Sequence, residues 1–376
     1  MQQNPFTLKE VPAGLAFCDR RKELSELIAF ARAGENVLLY SPRRYGKTSL
    51  IRNVQHQMEA EGALTAYCDL FGVSTIEEIA GRIARSIYTI TRKNETLFQK
   101  AIRFFTSFRP VLSPTPDGGV SVSVQPAYTS DALELLDATI GALAEFVLGV
   151  SALVHIVLDE FQEISVIDDS VRIEGRLRYH IQKMKCGFVF VGSRRKILLE
   201  MFNDRKRPFF QSTINYALET LPRKELIDFI VSRFKGAGRS ITPESAADIC
   251  AQFNGHPYYV QKFCYFLFAR THKEVTREDI IETHWLIMDM EKPLFESILR
   301  RLSAKQMAIL AAIAKEPSKT LFAAAYMARH HLKSTGGIRH GLNILTVEDL
   351  VEQDPQEGTW SVVDPVLRQW LVERAL

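Results

Sequence analysis

The chain has 376 residues, enough for two or three domains at roughly 100–200 residues each. Hydrophobic residues make up 46% and charged residues 24%, which is ordinary for a folded soluble protein with an ample apolar core. A net charge of +3 is too small to imply a polyanionic partner by itself, and no segment approaches the ~20 apolar residues of a membrane span.

From residue 17 to 215, short apolar runs alternate with helical patterns. The runs cover residues 36–40, 64–70, 153–158, 187–191 and 214–218, and read as strands covered on both faces. Their alternation with helices predicts a mostly parallel sheet wound by crossover helices. The first run, Val37-Leu38-Leu39-Tyr40, leads into Ser41-Pro42-Arg43-Arg44-Tyr45-Gly46-Lys47-Thr48-Ser49, and then into a helix with Leu50, Ile51, Val54 and Met58 on one face. Strand, loop and helix in that order are the context of a Walker A phosphate-binding loop. Backbone N–H groups of such a loop wrap phosphates at the positive end of the following helix. Gly46 permits close backbone approach, Lys47 supplies a cation for the β and γ phosphates, and the Thr48 hydroxyl is a magnesium ligand. The usual first glycine is Ser41 here, which predicts a slightly altered start of the loop.

Residues 110–128 carry Pro110, Pro114 and Pro116, an Asp117-Gly118-Gly119 turn signal, and Val120, Val122 and Val124 alternating with polar residues. That pattern predicts a hairpin inserted at the surface, as a partner-contacting arm or as a cover over the sheet. The next run, Val154-His155-Ile156-Val157-Leu158, ends in Asp159-Glu160 and matches Walker B. Asp159 can hold magnesium through water and Glu160 can polarise the attacking water. The run 187–191 ends in Gly192-Ser193-Arg194; Ser193 and Arg194 are either reporters of the γ-phosphate or part of a solvated basic turn. Arg205-Lys206-Arg207 is either an exposed basic loop or a source of charge for a neighbouring subunit's nucleotide.

Residues 223–290 are wholly helical in pattern, with starts at Thr242-Pro243 and at Thr276. From Ser303, a helix with Gln306 as capping-box partner precedes helices over 322–329 and 334–345. Short strands near 349–352 and 359–363 complete the pattern. Three helices and a two-stranded wing describe a winged helix-turn-helix. The fold class expected is therefore α/β: a P-loop NTPase parallel sheet over 1–220, a helical lid over 221–292, and a winged-helix domain over 293–376.

Residues 1–10 lack the charged and apolar regions of a signal peptide, and the expectation is a cytoplasmic protein. Cys18, Cys68, Cys186, Cys250 and Cys264 include no C-x-x-C pair and suit reduced, mostly buried thiols. His330 and His331 are adjacent, so on a helix they point about 100° apart and cannot share an ion.

Taken together, Ser41–Leu50 as written above, Asp159-Glu160-Phe161-Gln162, Gly192-Ser193, Gly255-His256-Pro257-Tyr258-Tyr259-Val260-Gln261 and Asp364-Pro365 with Trp370 resemble the archaeal-type P-loop ATPases, relatives of the STAND and AAA+ proteins. The match spans nearly the whole chain and departs from the pattern at Ser41. The resemblance implies that the segment with Asp19, Arg20 and Glu23 packs near adenine, and that Pro257 lies against the base. It also implies ATP/ADP with Mg2+ as cofactors, in preference to guanine nucleotides.

Two functions are expected from this. One is a slow ATP-hydrolysing switch whose nucleotide state moves the lid and winged helix and changes an unidentified protein partner or self-association. The other is a DNA-handling ATPase, of the origin-recognition or transposition-accessory kind, reading DNA with helix 334–345. Residues 303–376 hold eight Lys or Arg and eight Asp or Glu, which disfavours many phosphate contacts.

Overall fold

The computed structural model describes residues 4–9, 18, 20–116, 119–127, 131–354 and 357–373. They divide into two compact units. One holds Arg20–Ser41 and Lys47–Leu218; the other holds the described residues before 20, Pro42–Gly46 and the chain from residue 219 onward.

The first unit opens with α1 (Arg21–Ala33), β1 (Val37–Tyr40), α2 (Lys47–Ala60) and β2 (Leu64–Asp69). Next come α3 (Ile76–Thr91), α4 (Glu95–Phe104), β3 (Phe108–Pro114), β4 (Val120–Pro126) and α5 (Ala132–Gly149). It closes with β5 (Val154–Asp159), a 3-10 turn (Phe161–Val166), α6 (Ser170–Ile181), β6 (Gly187–Gly192), α7 (Arg195–Asn203) and β7 (Ile214–Ala217). The sheet order is β2-β5-β6-β1-β7 and every pair is parallel. Every residue of β5 and β6 is buried, the physical reason these strands read as unbroken apolar runs. Register pairs Tyr40 with Gly192, and Asp69 with Asp159. The carboxyl ends of β1, β6, β5 and β2 therefore lie in one row, the edge where open α/β sheets bind ligands. Beneath that row, the Phe161 ring lies 4.7 Å from Phe190 and 5.5 Å from Phe209, fixing the turn after Glu160 to the sheet.

β3 and β4 form the expected antiparallel hairpin; its turn residues Asp117 and Gly118 lie outside the described residues. Phe108 and Val122 are buried, and the Tyr88 hydroxyl on α3 donates to the carbonyls of Phe105 and Phe108 at 3.1 and 3.0 Å. That face of the hairpin thus belongs to the core near the base, as a cover does, while Leu112 and Val120, on the same face nearer the turn, are exposed.

The second unit is built from α8 (Arg223–Gly236), α9 (Pro243–Gln252), α10 (Pro257–Arg270) and α11 (Arg277–Arg300). Then follow α12 (Ala304–Lys315), α13 (Ala324–Arg329), α14 (Thr335–Val347), β8 (Val351–Gln353), β9 (Trp360–Val362) and α15 (Pro365–Glu373). Helix starts follow their chemistry. Thr242 caps α9, and full capping boxes form at Thr276 with Asp279 and at Ser303 with Gln306. One continuous core runs through this unit, from Phe234, Phe263 and Ile287 to Leu310, Leu342 and Leu367. α11 passes without interruption through residue 293 and carries Pro293 inside it. Two of the motifs meet in this core. The Tyr259 hydroxyl donates to Asp364, whose other oxygen accepts the N–H groups of Val366 and Leu367 at 2.9 and 3.0 Å and so caps α15. Gln261 of the same motif donates to the Thr7 carbonyl at 2.6 Å. Among the described residues, no helix is long and apolar enough to cross a membrane.

Candidate functional site

β1 lies between β6 and β7 in the sheet, and Ser41 follows its carboxyl end, 2% exposed. The Lys47 ammonium turns back to donate to the Ser41 carbonyl at 2.8 Å and to the Ser41 hydroxyl at 3.2 Å. Ser41 keeps ordinary backbone angles, so glycine is not needed there, and its hydroxyl gives the lysine a second acceptor. The left-handed positions of the loop are instead Gly46 (φ 87°) and Arg44 (φ 65°). Glycine reaches that region freely, whereas a left-handed arginine costs about 1–2 kcal/mol.

Asp159 ends β5, buried, and both its carboxylate oxygens are engaged. Oδ1 accepts the Glu160 N–H at 2.8 Å and Oδ2 accepts the Tyr67 hydroxyl from the neighbouring strand β2. Burial pushes the Asp159 carboxyl up from its ordinary value, against the hydrogen bonds from Tyr67 and Glu160 that pull it down. Burial first, then the Asp159 charge, pushes the Tyr67 phenol far above its ordinary value, so that it stays a protonated donor.

Glu160 takes a left-handed conformation (φ 51°), which turns the chain sharply out of β5. Its Oε2 accepts from the Gln162 side-chain amide and, at 3.3 Å, from the Ser193 hydroxyl at the tip of β6. Gln162 is wholly buried and fits only because residue 192 has no side chain. A Cβ there would stand 1.9 Å from Gln162 Oε1 and 2.8 Å from Leu198 Cδ1. Gly192→Ala must therefore displace the amide that holds Glu160. We expect it to lower stability by about 1–3 kcal/mol, as overpacking does, read as a lower urea midpoint at unchanged m-value.

Arg194 occupies the N-cap position of α7, and its side chain makes no capping bond there. Arg20 is buried at the N-cap of α1 and pairs with Glu23 at 2.6 Å, while Asp19 lies outside the described residues. Pro257 is the first residue of α10 and belongs to the helical unit, as do Pro42–Gly46. Within that unit the Arg44 guanidinium lies 4.3 Å from the centre of the Tyr258 ring, and Tyr45 meets His256 edge-on at 4.8 Å. Arg207 is neither an exposed loop cation nor available to a neighbour. It pairs through two nitrogens with Glu174, a wholly buried carboxylate on α6. Arg205 and Lys206 stay exposed.

The fold brings Lys47, Asp159, Glu160 and Ser193 to adjoining strand tips, where their positions in the chain predict them. Sequence reasoning misses Tyr67 and Gln162, which carry the hydrogen bonds to the two carboxylates.

A family model described as a probable winged helix domain matches residues 293–373. No curated protein sequence matches the chain. Among solved structures, a Walker-type ATPase of Pyrococcus abyssi superposes with a TM-score of 0.71 at 16% identity, over 98% of this chain and 99% of that one. The ORC2 protein of Aeropyrum pernix, in ADPNP–ADP complexes, gives 0.58 at 16% identity, over 99% and 97%. The ORC1 protein of the same organism, in complex with DNA, gives 0.51 at 16% identity, over 97% and 94%. These likenesses fit the fold expected from the motifs, a P-loop-type parallel α/β sheet followed by a winged helix.

Proposed function

We propose that the chain binds ATP with magnesium at loop 41–49 and hydrolyses it slowly, its nucleotide state setting the lid and winged helix and hence a protein partner or self-association. The observation that carries this reading is the row Lys47, Asp159, Glu160 and Ser193 at the carboxyl ends of β1, β5 and β6.

A hydroxyl at the start of α2 and a carboxylate at the tip of β5, Thr48 and Asp159, are the oxygen donors that suit a hard cation. When bound, magnesium would neutralise charge on the phosphate oxygens. Lys47 exchanges its Ser41 acceptors for phosphate oxygens, and the loop N–H groups complete the cradle. Glu160 accepts the proton of a water attacking the γ-phosphorus. The bond from that phosphorus to the β–γ bridging oxygen breaks, its electron pair leaving with ADP, and phosphate is the second product. Gln162 and Ser193 aim the carboxylate; while both hold it, turnover is slow.

The switch reading is supported by Arg44 and Tyr45. Their backbone belongs to the phosphate loop and their side chains pack on Tyr258 and His256, next to the Tyr259–Asp364 link to α15. Arg20 and Asp19, with Pro257, are proposed near the adenine on resemblance alone. The domain limits proposed are 1–220, 221–292 and 293–376, and four buried free thiols suit a reducing cytoplasm. The test is phosphate release by wild type and Glu160→Gln: equal rates would remove the hydrolytic role.

A second reading, DNA binding through α14, is favoured by the likeness to a protein solved with DNA. Lys333, Arg339 and His340 are exposed on or beside α14, but Arg329 is engaged by Glu316 at 2.7 Å. With charge balanced over 303–376, we expect no shift of duplex DNA in a gel even at low salt. A salt-sensitive shift would promote this reading to first place.

A further inference from the structure

The geometry points to Tyr67 as a positioning residue of the magnesium site, its phenol holding the Asp159 carboxylate in place for a metal-bound nucleotide. This rests on the nucleotide reading above and concerns the same site.

The hydroxyl donates to Asp159 Oδ2, and the Glu160 N–H occupies Oδ1, so the carboxylate cannot rotate without losing a bond on one side. Each oxygen keeps a further lone pair with which it can coordinate a cation. Hydrogen-bonded carboxylates of this kind are how proteins orient metal ligands.

The phenol is itself held. The Arg52 guanidinium lies 3.8 Å over the Tyr67 ring centre, Arg52 donates to Gln55 at 3.3 Å, and Gln55 donates to the Ala66 carbonyl of β2 at 3.1 Å. Arg52 and Gln55 lie three apart on α2, so one face of that helix braces the ring. Gln55 is buried, as is the Asp159 it indirectly serves. A tyrosine serving only as core would not need its hydroxyl on the carboxylate at a strand tip.

Tyr67→Phe keeps the ring and its Arg52 contact and removes only the hydroxyl. In excess EDTA we expect ADP affinity to equal that of wild type. With ADP present and Mn2+ as the probe, followed by the EPR signal of the free ion, we expect Mn2+ affinity to fall by roughly 10–100-fold, as when an outer-shell partner is deleted. A thermal melt in EDTA reads any purely structural loss, which leaves the Mn2+ isotherm where it was. Mn2+ affinity equal to wild type overturns the proposal, and so does tighter binding, since the phenol would then be competing for the carboxylate. If the wild type itself gains no ADP affinity from Mn2+, the nucleotide-site reading falls and Tyr67 falls with it.

Discussion

Glu160→Gln is expected to lower phosphate release by roughly 10²–10⁴-fold, the contribution of a positioned general base, while ATP and ADP bind as in wild type. The substitution is close to isosteric and keeps a carbonyl oxygen able to accept from Gln162 and Ser193, so the strand tips keep their arrangement. Only the capacity to take a proton is removed. Lys47, proposed to hold phosphate, has a support of its own, since it donates to Ser41. Single-turnover phosphate release with equilibrium binding of ATP, measured on both proteins, separates chemistry from affinity. A parallel loss of both would mean that Glu160 shapes the site, and that the base lies elsewhere.

The parts of this site that are legible in the chain are those that depend on local order. A strand buried on both faces writes an unbroken apolar run, and the residues just past that run sit at the sheet's edge. For that reason Asp159, Glu160 and Ser193 can be placed from the chain alone. The parts that escape depend on strand order. Tyr67 reaches Asp159 only because β5 inserts beside β2, 92 residues apart in sequence, and nothing in the run 64–70 marks it as other than core. Gln162 stands inside a motif, but its role needs the bare Cα of Gly192 across the sheet. Ser41 predicts a perturbed loop because glycine is usual there; the observed backbone never visits the region that glycine is needed for. The hairpin and the winged helix are legible since period-two alternation and capping boxes are local signals. Arg207 escapes for the opposite reason. A basic tripeptide looks solvated until the fold places a buried carboxylate beside it.

That carboxylate makes Arg207 the position at which the largest loss of stability is expected. Glu174 is wholly buried on α6, and both Arg207 Nε and Nη2 donate to it. Arg207→Met keeps much of the side chain's length but leaves the carboxylate buried without its counter-charge, which costs about 3–5 kcal/mol. The pH dependence has a definite sign. Burial raises the Glu174 carboxyl above its ordinary value, while the Arg207 hydrogen bond and charge pull it back. A carboxyl whose folded pKa exceeds its unfolded one contributes stability below the unfolded pKa and loses it as pH rises through the folded pKa. Removing Arg207 raises the folded pKa further. The penalty of the variant should therefore be greatest at alkaline pH and shrink as the pH falls through the raised folded pKa of Glu174, which lies above the ordinary carboxylate range, and the carboxyl takes up a proton. Urea denaturation of wild type and variant across those pH values measures it. Glu174→Gln combined with Arg207→Met should recover part of the loss at neutral pH, since no buried charge is then left over. A penalty that does not vary with pH, or no recovery in the double variant, would show that Arg207 acts by packing and not by pairing.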